Sequence, residues 1–396
     1  MRHYLPKPRQ QLKVFGFLAA FTTFLTLKLQ LLETSNPLHP IQSLGEDKPF
    51  ARDARLLILQ WTSFFSSQDW KGFHKSLDPT CPYQCEFTSD RRRLNDSDAL
   101  LFNIRNLESS WGYDLPSEPR KIKQVWVAHS AEPPQHTYPH PANFPSVFNW
   151  TSFVRADSDV PLYYKKMMRS DELRTNQRVI WSNTSVPKLP VISEKRALAS
   201  WLVSNCNTYS RRERYVQRLK SFVKVAIYGQ CWGRNCNRAE NQSACLEEVK
   251  KHIFYLSFEN ALCTGYVTEK FWNALVWGMI PVVMADRASV EQVAPPGSYI
   301  HVEDFDSPEE LARHLRNVSQ DQALYQSYFK WRKTHVLVAD YFCDLCSRLH
   351  TWDGHLQTYK DFGGWFTQDP CSNIEFPRRF TDKFRELKHI ISRLFL

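Results

Sequence analysis

The sequence predicts an α/β protein built on parallel, doubly wound sheets, and two observations carry that prediction. In the second half, apolar strand candidates at residues 198–203, 223–228, 253–258, 280–284 and 298–302 alternate with helical stretches, the order that strand–helix–strand crossovers require. In the first half, three further candidates at 56–61, 99–104 and 124–128 are each apolar and bounded by polar or turn residues.

Residues 254–285, FYLSFENALCTGYVTEKFWNALVWGMIPVVMA, compress the pattern into one unit. The leading apolar run reads as a buried parallel strand. Glu259 and Asn260 follow it directly, at the strand end where doubly wound sheets bind ligands. Thr268 occupies a helix N-cap position, Glu269 and Lys270 fall in the first turn, and residues 271–277 carry the apolar face. Gly278 and Pro281 end the helix and launch the next strand. Glu269 suits the positive end of the helix dipole, whereas Lys270 opposes it. A bound anion would account for that lysine. So would solvation on an ordinary strand–helix–strand unit, and the stretch alone leaves both open.

At 396 residues, 42% hydrophobic and 14% aromatic, the chain has length for about two or three domains with substantial cores. The formal charge is +10, but Arg2, Lys7, Arg9 and Lys13 crowd the first thirteen residues. The remaining excess is diffuse, and with no phosphate loop or long basic run it does not point to nucleic acid. Residues 1–13 read as a cytosolic tail. Residues 14–32, VFGFLAAFTTFLTLKLQLL, read as an uncleaved transmembrane signal anchor, with the basic side before it and Glu33 after it. Lys28 can snorkel from the helix end, and no clear A-x-A-like cleavage site follows. Residues 33–53, with Pro37, Pro40, Ser43, Gly45 and Pro49, have the composition of a stem. The body beginning near Arg55 holds all ten cysteines and sequons at Asn95, Asn149, Asn183, Asn241 and Asn317. Together with the anchor they point to a secretory-pathway lumen. There, structural disulfides are favoured over zinc or redox chemistry for the close pairs Cys81/Cys85 and Cys343/Cys346; joined to each other, these would tie the two ends of the body together. Cys206, Cys231, Cys236, Cys245, Cys263 and Cys371 remain without assigned partners.

After the third strand candidate comes HSAEPPQHTYPHPANFPSVFNW, a polar loop stiffened by five prolines, of the kind that carries function at strand ends. Glu132 is its candidate acid or base, with His129 and Asp157 as rivals; for each, a solvated surface residue is the plain alternative. Arg211, Arg212 and Arg214 face either an anion or solvent. Ser307 and Glu310 predict a capping box with Pro308 at the first helical position, and Leu311, Leu315 and Val318 an apolar stripe. Residues 380–396 place Phe384, Leu387, Ile391 and Leu394 at helical spacing, to dock on the body or touch the membrane.

FYLSFEN, GYVTEKFWNAL and GMIPVVM, continued by SYIHVEDFDSPEELARHL and YFKWRKTH, resemble the signature of the GDP-fucose-dependent α1,3-fucosyltransferases. VSNCN, the helix with Arg212 and VAIYGQCWG are similar as well, and FNWTSFVRADSDVP with the glutamate of AEPPQHT matches more loosely, so the resemblance covers roughly residues 55–350. It implies a GT-B architecture of two facing Rossmann-like domains: residues 54–190 for the acceptor, residues 191–360 for GDP-fucose, then an extension over 361–396. It further implies a single-pass type II Golgi enzyme that transfers L-fucose, with inversion, in α1,3 linkage to a GlcNAc of a glycoprotein or glycolipid glycan. Carried over residue by residue, it makes Glu132 the general base and Arg212 the grip on the diphosphate. Glu269 and Lys270 would hold the fucose or ribose hydroxyls and the diphosphate, and Tyr266 and Asn260 would line the same pocket.

These roles suit the chemistry. Inverting transfer needs a base on one face of the sugar and fixed donors for the charge growing on the departing phosphate. Arg212 can bind phosphate bidentately, and Lys270 adds a point charge near a helix N-terminus. Asp157-Ser158-Asp159 spells the metal-binding D-x-D of other glycosyltransferases, but it falls in the acceptor half and reads as structural or acceptor-facing. No tightly bound cofactor is expected, and a divalent cation would stimulate rather than be required. Pro133-Pro134 stands where many relatives have Ser-Pro, and Cys263-Thr264-Gly265 replaces the usual residues before the YxTEK segment. The alternatives are an inactive lumenal glycan-binding relative, a protein O-fucosyltransferase, and a GT-B enzyme using another nucleotide sugar.

Overall fold

The computed structural model describes residues 55–65, 70, 81–109, 112–171, 179–181, 191–195, 197–232, 236, 242–338, 341–355, 357–368 and 371–372. The anchor and stem candidates, the helical pattern at 380–396 and the sequons at Asn183 and Asn241 lie outside the described residues. Among those described, no helix is long and apolar enough to cross a membrane. The chain divides into two compact units. In the smaller, Glu108–Ser109 pairs antiparallel with Gly112–Tyr113. Both large sheets belong to the other.

The first sheet is five-stranded and parallel, in the order Cys85–Thr88, Leu56–Gln60, Ala99–Asn103, Val125–Ser130, Trp150–Phe153. The second is also five-stranded and parallel, in the order Val225–Tyr228, Ala197–Leu202, His252–Phe258, Ile280–Met284, Ile300–His301. Every residue of His252–Phe258 and Ile280–Met284 is buried, as strands covered by helices on both faces must be. The expected parallel sheets are present in both halves, with helical crossovers in the second; between the strands of the first, the described residues hold 3-10 turns and a short hairpin. A third, antiparallel sheet of Lys166–Arg169, His335–Val338 and Val179–Trp181 was not anticipated.

The helix Glu269–Val276 is built as its sequence indicates. Thr268 caps it by accepting from the Lys270 amide, and Phe271, Trp272, Ala274 and Leu275 are buried. Gly278 then turns the chain at φ +68°. At the far end the buried Arg332 guanidinium donates to the Leu275 carbonyl at 2.9 Å, putting a cation where the helix dipole is negative. Arg332→Met is therefore expected to cost about 1–2 kcal/mol, read as a lower melting temperature. The capping box at Ser307 closes differently from the prediction. The Ser307 hydroxyl accepts from the Glu310 amide at 3.2 Å, but the Glu310 carboxylate takes the amide of Asp306, one residue earlier. Leu311, Leu315 and Val318 are fully buried.

After the second sheet the chain returns to the first. Helix Tyr341–His350 sends Tyr341, Phe342, Leu345 and Leu349 into the first sheet's core. Disulfides Cys81–Cys343 and Cys85–Cys346 fasten it there, joining the two close pairs to each other, the arrangement that ties the two ends of the body together. Cys206–Cys231, Cys236–Cys245 and Cys263–Cys371 complete the pairing, and no cysteine is free. His350 lies beside Cys85 and Cys346, but their sulfurs are in disulfides and its Nε2 is 3.1 Å from the Gln84 carbonyl oxygen, so this cluster is no metal site.

One sequon is unusable in the folded protein. Asn149 is 4% exposed, accepts from the Trp126 amide at 2.8 Å and donates to the Gln357 carbonyl at 3.0 Å. Asn95 and Asn317 are exposed. Peptide mass mapping of protein from a secretory host is expected to find glycan at Asn95 and Asn317 and none at Asn149.

Candidate active site

The strand order of the second sheet reverses between Ala197–Leu202 and His252–Phe258, the switch point where such sheets bind ligands. Arg212 spans it. It opens helix Arg212–Leu219 behind Arg211, whose φ of +52° turns the chain inward. Its Nη1 donates to the Phe258 carbonyl at 2.5 Å and its Nη2 to the Asn205 carbonyl at 3.2 Å. Arg211 and Arg214 point to solvent, so the arginine run resolves into one inward residue and two surface ones. Arg212 is 3% exposed and its Nε has no hydrogen-bond partner among the described residues; a buried donor left unspent is what an anionic ligand would take up. Burial presses its pKa down, and Glu259 and Tyr266 oppose that. Asn260 lies alongside, its side-chain oxygen buried without a hydrogen-bond partner among the described residues and its carbonyl accepting from the Ser210 amide.

Lys270 already has protein anions. Its Nζ lies 3.0 Å from Glu259 Oε2, 3.1 Å from Glu269 Oε1 and 2.8 Å from Thr268 Oγ1. The lysine that opposed the helix dipole is thus answered first by Glu259, a carboxylate 1% exposed that also accepts the Thr268 amide and hydroxyl at 2.8 Å. Burial works against the Lys270 charge, but Glu259 and Glu269 outweigh it and hold the ammonium above its ordinary range. Arg212 and Lys270 thus stand against two carboxylates, Glu259 and Glu269, of which Glu259 is deeply buried.

Facing it, Glu132 follows strand Val125–Ser130 and is pinned by its backbone. Its amide donates to Ser130 Oγ at 3.1 Å and its carbonyl accepts from Thr137 Oγ1 at 3.1 Å, while Pro134–His136 forms the 3-10 turn that follows. The carboxylate accepts from the Tyr266 hydroxyl at 3.3 Å and lies 3.8 Å from His136 Nδ1. Burial raises its pKa, against the pull of Arg105, Lys270 and the Tyr266 hydroxyl. His136 packs its ring on Tyr209 at 5.2 Å, and burial with the charges of Arg105, Arg212 and Lys270 pushes its pKa down.

The structure therefore brings Glu132, Tyr266, Arg212, Asn260, Glu269 and Lys270 into one neighbourhood between the strand ends of the two sheets. The rivals of Glu132 fall elsewhere. His129 is fully buried beside Ser152 and Tyr341. Asp157 is paired with Arg155 at 2.7 Å, and Asp159 accepts from Thr151 and Tyr359, so the D-x-D carboxylates serve the loop scaffold. The sequence places Glu259 at the ligand-binding strand end but assigns it no role, and Arg105, His136 and Tyr164 are not singled out. Arg105 could have been found by the same rule as Glu132, since it follows strand Ala99–Asn103 closely.

Residues 192–365 match the family model described as glycosyltransferase family 10 (fucosyltransferase) C-term, and residues 53–165 that of the fucosyltransferase N-terminal region. Alpha-(1,3)-fucosyltransferase C of Drosophila melanogaster is 33% identical over 352 residues, covering 81% of this chain and 80% of that protein. The chain belongs to glycosyltransferase family 10, the fucosyltransferases. This fucosyltransferase is also 34% identical to human 4-galactosyl-N-acetylglucosaminide 3-alpha-L-fucosyltransferase FUT6 over 78% of its length and 83% of the relative's. To human 3-galactosyl-N-acetylglucosaminide 4-alpha-L-fucosyltransferase FUT3 it is 31% identical, over 89% and 94%. A crystal structure of an alpha1,3-fucosyltransferase with GDP superposes with a TM-score of 0.45 at 18% identity, covering 82% of this chain and 91% of that one.

Proposed function

We propose that this fucosyltransferase transfers L-fucose from GDP-fucose, with inversion, in α1,3 linkage to a GlcNAc of a glycoprotein or glycolipid glycan. The observation that carries the reading is the opposition of Glu132 to the Arg212–Lys270 pocket across the two strand-end surfaces. In a GT-B arrangement, residues 54–190 take the acceptor and residues 191–360 the donor. Glu132 removes the proton of the acceptor hydroxyl as its oxygen attacks the anomeric carbon. Arg212, with its uncommitted Nε, and Lys270 at a helix N-terminus stabilise the charge that collects on the departing diphosphate. Glu269 and Asn260 hold sugar hydroxyls, and the ring of Tyr266 closes the pocket wall. No metal-held step is needed in this scheme, and chelation is expected to leave turnover in place.

The five disulfides favour an oxidising lumen, consistent with a type II Golgi protein held by residues 14–32; protease protection of sealed microsomes tests that orientation. The deciding experiment is an acceptor array with GDP-fucose and the body from Arg55, with linkage analysis of the product. Fucose on O3 of GlcNAc is expected. Transfer to a peptide hydroxyl would favour a protein O-fucosyltransferase, and neither GDP binding nor GDP-fucose hydrolysis would favour an inactive glycan-binding relative.

A further inference from the structure

We propose that Tyr266 is a positioning residue for the base: its hydroxyl holds one oxygen of Glu132 and leaves the other free to face the acceptor. This rests on the role of Glu132 given above. The Tyr266 hydroxyl donates to Glu132 Oε2 at 3.3 Å, and His136 Nδ1 lies 3.8 Å from the same oxygen. Among the described residues Oε1 has no hydrogen-bond partner. The phenol itself cannot swing. Tyr266 is 2% exposed in a cluster with Val154, Ala261 and Cys263. Just before it, Gly265 at φ +79° is pressed so closely on the Val154 carbonyl that a Cβ would collide with it. The Gly265 amide donates to Ser289 Oγ at 2.7 Å, and Cys263 is fastened to Cys371. The loop is thus clamped from both sheets, with its hydroxyl aimed from the donor side at the acceptor-side base. A tyrosine needed only to line the donor pocket would not require that aim.

The groups facing Glu132 are Arg105 from the turn after Ala99–Asn103, His136 on its own loop, Tyr164, and Tyr266, Glu269 and Lys270 from the second sheet's loop and helix. Of these the Tyr266 hydroxyl donates directly to the ionised carboxylate and favours it. Tyr266→Phe keeps the ring and removes that bond. It is expected to lower kcat about 10–100-fold, with GDP affinity and the KM for GDP-fucose unchanged, and to move the acid limb of kcat/KM to higher pH. Glu132→Asp, which draws the carboxylate back from the phenol, should move the limb the same way. An unmoved limb in both variants overturns the proposal. So does a raised KM for GDP-fucose with kcat intact, which would return Tyr266 to the donor pocket alone. Failure of the unaltered enzyme to consume GDP-fucose would instead count against the fucosyl-transfer reading.

Discussion

Glu132→Gln is expected to lower kcat by about 10²–10⁴-fold, the usual worth of a positioned general base, while GDP still binds. The amide keeps the shape and the Tyr266 contact but cannot accept a proton. Single-turnover rates with saturating GDP-fucose, alongside calorimetric GDP titration, separate the two effects; unchanged turnover would remove Glu132 from the mechanism. In the unaltered enzyme burial raises the Glu132 pKa, while Arg105, Lys270 and the Tyr266 hydroxyl restrain it. In the proposed role Glu132 works ionised, so kcat/KM is expected to fall as pH drops through that pKa. Removing the Arg105 charge should start the fall at higher pH.

Lys270→Met is expected to fail in two separable ways. It removes a cation from the proposed diphosphate site, so GDP affinity is expected to drop. It also strands Glu259, a carboxylate 1% exposed whose cationic partner lies at 3.0 Å. Breaking a buried pair from one side costs about 3–5 kcal/mol, whereas replacing both partners by neutral groups can be nearly free. The double variant Glu259→Gln/Lys270→Met should therefore recover most of the lost melting temperature without recovering GDP affinity. Full GDP binding by the double variant would make Lys270 a structural lysine only.

Much of the architecture was legible because it is locally encoded. The strands His252–Phe258 and Ile280–Met284 are continuous apolar runs, and Thr268, Gly278, Ser307 and Pro308 mark helix ends by their own chemistry. What escaped was non-local or compositionally plain. Cys85–Thr88 is a half-buried edge strand with mixed polarity, and His335–Val338 finds its partners in Lys166–Arg169, far back in the chain. The site divides in the same way. Arg212, Glu269 and Lys270 stand in motif segments that are short in sequence. Glu259 becomes the counter-ion of Lys270 only when a strand end and the next helix start fold together, and Arg105 and Tyr164 approach Glu132 from separate segments while His136 folds back on it from its own loop.

The paired bonds Cys81–Cys343 and Cys85–Cys346 close a loop over most of the body, with sequence separations of 262 and 261 residues. Because Tyr341, Phe342, Leu345 and Leu349 fill the core of the first sheet, that sheet cannot complete its core until this much later helix has been made. The half that holds the first sheet is then not an independent module to be grafted or expressed by itself. A protease nick between the sheets would leave both fragments migrating together until a reductant is added.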